Sequence, residues 1–177
     1  MAQRYQYNRM VIGADLRNEI RSTFINNKKI TPTWGSGNPE NDWKMASQKV
    51  GNIIHNITPH WLIFISCLEY GGNCNFLKKQ NNALVLNHPN KVIYVAHNYG
   101  FWYNKKPKDF QQDLENRFGF ISTNKIAPVW LNEFGIPHYS NSLNHWYWKG
   151  LVKYLKQHPQ IHWAYWPWTG TQTTGRS

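Results

Sequence analysis

Two glutamates stand where this sequence could do chemistry. Glu19 follows Asn18 in GADLRNE at 13–19, and Glu133 follows Asn132 in VWLNEFG at 129–135. HNYG at 97–100 offers His97 and Tyr99, and WAYW at 163–166 ends on Trp166. The chain holds only nine Asp and Glu, so two of them in matching Asn-Glu pairs form a pattern that needs a reason. Two carboxyl groups across one cleft are the tools of glycoside hydrolysis. One protonates the leaving oxygen while the other, ionised, attacks the anomeric carbon. Like charges disfavour double ionisation, so a close pair divides into one acid and one carboxylate. Tryptophan adds a flat apolar face for a sugar ring. The plainer alternative is that each glutamate ends a strand and pairs with an arginine. Two glutamates, a His-x-Tyr and a tryptophan on one rim favour a site.

For these residues to meet, the elements that carry them must converge. Residues 10–16, 61–66 (WLIFIS), 92–96 (VIYVA), 128–131 and 161–166 read as strands, and they are uniformly apolar, as buried parallel strands are. Asp42 to Ile57 predicts a helix, with Trp43, Ala46, Val50, Ile53, Ile54 and Ile57 at spacings of three and four in one apolar stripe. A long loop over 67–91 holds a short helix near Phe76. Lys108 to Phe118 predicts a helix with Phe110, Leu114 and Phe118 on one face. Ser142 caps a further helix through His158, with Leu143, Trp146, Leu151, Tyr154 and Leu155 inward. Five strands joined mostly by helical crossovers give an α/β fold with a parallel sheet. No glycine-rich phosphate loop follows any strand, which favours a (β/α) barrel over an open doubly wound sheet. In a barrel the carboxyl ends of the strands share one face, where active sites sit. The polar residues singled out above fall at those ends.

At these residues the chain resembles the family 5 glycoside hydrolases, the cellulase family of retaining (β/α)8 barrels. The matching segments are GADLRNE, HNYG, NEFG at 132–135 and WAYW. GNIIHNITPHWLIFIS at 51–66 is similar to the family's approach to strand five, and WTGTQTTGR at 168–176 to the loop after strand eight. The resemblance implies a partial (β/α)8 TIM barrel, strands four to eight, in one catalytic domain over 1–177. It implies Glu19 as acid/base at the end of strand four and Glu133 as nucleophile at the end of strand seven. Asn18 would bond the sugar 2-hydroxyl. His97 and Tyr99 would line the cleaved-sugar subsite, with the Tyr99 hydroxyl orienting the nucleophile, and Trp166 would be the platform after strand eight. The implied substrate is a β-linked oligo- or polysaccharide such as cellulose or another β-glucan, cleaved by double displacement with no cofactor and no metal. Strands one to three have no counterpart. The chain is therefore expected to be a gene fragment or one part of a split enzyme, its partner the missing N-terminal half of the barrel. Secretion goes with the family, although MAQRYQYNRM is polar and shows no signal-peptide pattern.

Net charge is +11. That balance raises nucleic acid as a partner. The basic residues are scattered in pairs such as Lys28–Lys29 and Lys105–Lys106, with no nucleic-acid motif, so a solvated basic face is expected instead. A non-catalytic sugar-binding remnant is the other competing reading. No apolar run approaches the roughly 18 residues of a membrane span. Arg17 and Arg21 flank Glu19. Arg17, two residues away, would share its face on a continuing strand and is the cation expected to reach it. Cys67 and Cys74 share one loop with no histidine beside them, which argues against zinc and leaves a disulfide or two free thiols open. Asn56-Ile57-Thr58 is a weak sequon.

Overall fold

The computed structural model describes residues 1–103, 105–136 and 142–167. After one helical turn, α1 (Ala2–Tyr5), comes the short strand β1 (Gly13–Asp15). A small antiparallel hairpin follows, β2 (Thr23–Ile25) and β3 (Lys28–Ile30). It turns at Asn26 and Asn27, both left-handed (φ 49° and 61°), as a tight two-residue hairpin turn requires. The rest of the described chain alternates: α2 (Trp43–His55), β4 (Leu62–Ser66), a 3-10 turn at Asn75–Lys78, β5 (Val92–Tyr99), α3 (Phe110–Leu114), α4 (Phe120–Thr123), β6 (Val129–Gly135), α5 (Ser142–Gln157) and β7 (His162–Trp163). A π turn at Glu115–Gly119 joins α3 to α4.

One five-stranded sheet has the order β1-β4-β5-β6-β7, every neighbouring pair parallel. The central strands are mostly apolar and buried along their middles, while the edge strand β7 is exposed. Ile63, Ile65, Tyr94, Ala96 and Leu131 point into a core shared with Phe110, Leu114, Phe118, Tyr147, Leu151 and Tyr154 of the helices. The alternate residues Phe64 and Trp130 meet edge to face, centroids 5.1 Å apart. The core also takes in the loop after β4, through Cys67, Cys74 and Leu77.

Helix α2 starts where the sequence predicts it. Asp42 is its cap, and its carboxylate accepts from the backbone N–H groups of Gly35 (2.9 Å), Gly37 (2.7 Å) and Met45 (3.2 Å). Its orientation differs from the expectation. The buried face is Ser47, Gly51 and His55, at spacings of four. Gly51 makes room for Leu86 of the loop before β5, which a Cβ would meet at 2.9 Å, and faces Ile63 of β4, which it would meet at 3.5 Å. Trp43 and Ile54 of the stripe still pack against the core, but Val50 and Ile53 are left open, 42% and 52% exposed.

Other boundaries shift. β1 is shorter than residues 10–16 and β7 shorter than 161–166, as edge strands often are. β5 and β6 instead run further than their apolar segments. Ser142 lies inside the first turn of α5, and the residue before it is outside the described residues. The WTGTQTTGR tail also lies outside them. The open cysteine question resolves as a Cys67–Cys74 disulfide.

Candidate active site

The extra length of β5 and β6 makes the site. His97 and Tyr99 lie within β5, and Glu133 lies within β6. Up to Ala96↔Leu131 the ladder is regular, but the next pair is His97↔Glu133, so Asn132 is an extra residue. Such a bulge re-aims the side chains beyond it. Leu131 and Phe134 are three apart yet both sit in the helix-side core, which an unbroken strand would forbid. The two residues between them are released toward the other face.

Glu19 reaches the same place from β1. The ladder ends as Leu16 donates to the Phe64 carbonyl (3.2 Å), and the chain then turns so that Glu19 meets β5. His97 Nδ1 lies 3.1 Å from Glu19 Oε1 and 3.6 Å from Glu133 Oε2. The His97 side chain is fully buried, while those of Glu19 and Glu133 keep 24% and 13% of their surface. The Tyr99 hydroxyl donates to Glu133 Oε2 (2.8 Å), and Asn18 Nδ2 donates to Glu133 Oε1 (3.0 Å). Each oxygen of Glu133 therefore has a donor, which fixes its carboxylate in plane and direction. Burial raises the Tyr99 phenol well above its ordinary range, and the hydrogen bond to Glu133 and the charges of Glu133 and Glu19 raise it further. Raised in this way, the hydroxyl is a donor to Glu133 near neutral pH.

Trp166 joins the rim through its backbone, whose N–H donates to the Phe134 carbonyl (2.9 Å), and its side chain is about half exposed. All six residues singled out from the sequence thus fall at one end of the sheet, and four of them (Asn18, His97, Tyr99 and Glu19) surround or approach Glu133. The cation at Glu19 is Arg21, with Nη1 3.7 Å from Oε2, rather than Arg17. Strand alternation stops after β1, so the parity argument that favoured Arg17 does not apply. Arg21 is half exposed, and an ion pair this open contributes little.

Two further residues border the site. Phe101 stacks on Tyr99, centroids 5.0 Å apart, and is 63% exposed. Its signal was its place in the polar-aromatic run after HNYG. Asp15 ends β1 with an exposed side, yet burial against the sheet raises its carboxyl. A backbone hydrogen bond from Arg17 and the charge of His97 pull it back, and Glu133 pushes it up again. Asp15 sits in the same GADLRNE segment, where Glu19 drew the attention. Glu19, His97 and Glu133 each offer a ligand atom within 4.8 Å of the others, close enough to share a cation.

The model of the cellulase family, glycosyl hydrolase family 5, matches residues 1–172. The chain belongs to that family. Among cellulase-family and related proteins it is 33% identical to an endoglucanase of Paenibacillus polymyxa, over 94% of this chain and 44% of that protein. It is 27% identical to the major extracellular endoglucanase of Xanthomonas campestris pv. campestris, over 95% of this chain and 36% of that one. The structure superposes on a hyperthermophilic endocellulase from Pyrococcus horikoshii with a TM-score of 0.83 at 26% identity, covering 97% of this chain and 53% of that chain. The same archaeal enzyme has been solved as complexes with cellotetraose. The chain spans about half the length of the relatives it matches. Its parallel sheet with flanking helices is part of the family's (β/α)8 barrel.

Proposed function

We propose that this chain is the C-terminal catalytic portion of a retaining β-glycan hydrolase, with Glu133 as nucleophile and Glu19 as acid/base. The observation that carries the reading is the convergence of Glu19, His97 and Glu133 within 4.8 Å at the carboxyl ends of parallel strands. Retaining enzymes hold their two carboxyl groups about 5–5.5 Å apart, and inverting ones leave room for a water at roughly 6.5–9.5 Å. The close approach supports retention.

The steps follow from the donors. Glu133, aligned by Asn18 and Tyr99, attacks the anomeric carbon as Glu19 gives its proton to the departing glycosidic oxygen. A glycosyl ester forms on Glu133. Glu19, now a carboxylate, takes a proton from water as that water attacks the same carbon, and Glu133 leaves with net retention. His97 Nδ1, 3.1 Å from Glu19 Oε1, can donate to Glu19 when Glu19 is ionised and so holds that carboxylate in place for the second step. Trp166 and Phe101 offer flat faces to flanking sugar rings. No step calls for a metal or cofactor.

A β-glucan such as cellulose is the proposed substrate, because the related proteins are endoglucanases and one was solved with cellotetraose. Secretion is proposed on the name of the Xanthomonas relative, an extracellular endoglucanase. The proposed partner is the rest of the barrel. Among the described residues β1 and β7 each have a single neighbour, and Ile53 of α2, half exposed, lies beside β1. Three further strand–helix units would close the ring and cover both.

The test is turnover of an aryl β-cellobioside by this chain joined to the first three strand–helix units of the Paenibacillus polymyxa endoglucanase. Release of the phenol with β-cellobiose as first product is expected, and the chain alone should be inert. An α-anomer as first product would show inversion, and no release by the completed barrel would remove the hydrolase reading.

A further inference from the structure

The turn at 67–74 follows β4 and supplies none of the residues above, yet it touches both sides of the site. The Cys67–Cys74 disulfide closes its base. Inside that closure Leu68 and Asn73 exchange backbone hydrogen bonds of 3.2 and 3.0 Å. At the tip Glu69, Tyr70 and Gly71 are all left-handed, with φ of 51°, 59° and 77°. Two consecutive non-glycine residues in that region persist only where the surroundings hold them.

The tip holds on in two directions. The Tyr70 N–H donates to the carbonyl of Ile20, the residue after Glu19 (3.0 Å). The His97 N–H donates to the carbonyl of Gly71 (3.0 Å). The Arg21 guanidinium lies over the Tyr70 ring at 5.2 Å and also approaches Glu19. Gly71 packs on the His97 imidazole so closely that a Cβ would stand 2.9 Å from its Cγ and 3.1 Å from its Cδ2. β4 separates β1 from β5 in the sheet, so no ladder bond sets Glu19 against His97. Beside the direct contact of Glu19 with His97 (3.1 Å), the turn supplies the backbone link that spans them.

We propose that this disulfide-closed turn is a clamp that holds Glu19 in register with His97, with Tyr70 and Gly71 as its positioning residues. Its effect on turnover rests on the hydrolase reading, but the clamp itself does not. Tightly closed at the base, the tip has few conformations in which its two backbone hydrogen bonds can be missing. With the disulfide removed, the left-handed tip can relax and let both go.

The test is NMR of the 177-residue chain, oxidised and as Cys67→Ser/Cys74→Ser. Exchange of the His97 and Tyr70 amides should quicken at least about tenfold in the double variant. The Tyr94 amide, which donates to the Pro128 carbonyl (3.1 Å), should stay protected. The His97 imidazole signals should respond to Glu19→Gln in the oxidised chain and lose that response in the double variant. Unchanged exchange at His97 and Tyr70 would overturn the clamp. Loss of protection at Tyr94 as well would mean global unfolding. In that case Gly71→Ala, which keeps the disulfide, strains the tip at its φ of 77° and presses on His97, decides. A displaced imidazole signal with Tyr94 protected supports the clamp, and an undisplaced one overturns it. In a completed barrel that turns over, Gly71→Ala should lower kcat about tenfold with KM nearly constant, and an unchanged kcat would remove the positioning role. No turnover at all would count against the hydrolase reading, while the exchange result still judges the clamp.

Discussion

His97 faces Glu133 because the β5–β6 ladder skips Asn132. A regular ladder would pair His97 with the asparagine and turn Glu133 toward the helices. The bulge therefore does for the site what no single side chain can: it moves a charged residue from the side of the apolar core to the open end of the sheet. Around it, Asn18 and Tyr99 then fix both oxygens of the carboxylate.

Removing one of those donors should weaken alignment without removing the nucleophile. In the completed barrel, Tyr99→Phe should lower kcat by about 10–100-fold, the worth of one hydrogen bond to a charged group. Because burial and Glu133 hold the phenol above its ordinary range, the alkaline limb of the rate profile should be the same in both proteins. Loss of that limb in Tyr99→Phe would show that the phenol titrates during turnover.

The two glutamates should fail differently. Glu133→Ala can form no glycosyl-enzyme on any substrate. Glu19→Ala can still form one when the leaving group is dinitrophenolate, but its hydrolysis lacks a base. Azide needs no base, so it should restore turnover in Glu19→Ala and give the β-glycosyl azide. In Glu133→Ala any azide product should be α, entering from the emptied face. Product NMR distinguishes them, and equal rescue with one anomer in both would mean that the roles are misassigned.

Asp42 gives a stability prediction. Asp42→Ala removes a helix cap and orphans two loop N–H groups, which should cost about 2–3 kcal/mol. Burial pushes the Asp42 carboxyl up, but backbone donors from Gly37, Gly35, Met45 and Lys44 together bring it below its ordinary value. A depressed acid contributes stability that is complete above its unfolded value, about 3.9, and is lost as pH falls through the lower folded value. Thermal unfolding of the native chain and Asp42→Asn should differ most near neutrality and converge in strong acid. A constant gap would show that the charge is not involved.

The apolar stripe of α2 should behave as an interface. Val50→Lys/Ile53→Lys should make the isolated chain less prone to self-association, measured by light scattering. The same pair should impair turnover of the completed barrel. Improved behaviour in both would mean that the stripe covers nothing.

Much of this was legible in the sequence. Apolar strand centres announced a buried parallel sheet, and the polar residues at their ends announced the rim. Helix α2 began at Asp42 because a cap has a clear chemical mark. Its facing was misleading, because an apolar stripe shows that something must cover it and not which neighbour does. The bulge at Asn132 was hidden, since an extra residue in a ladder is defined by the partner strand. Arg21 displaced Arg17 for a similar reason: alternation holds only as far as the strand runs, and β1 stops at Asp15.

The most direct measurement is covalent trapping. A 2,4-dinitrophenyl 2-deoxy-2-fluoro-β-cellobioside loses dinitrophenolate without needing a proton, and its fluorine slows the second step. In the completed barrel it should release one equivalent of dinitrophenolate and leave a glycosyl ester on the peptide that contains Glu133, found by mass spectrometry. A label on Glu19, or steady release with no adduct and an inverted product, would contradict the account.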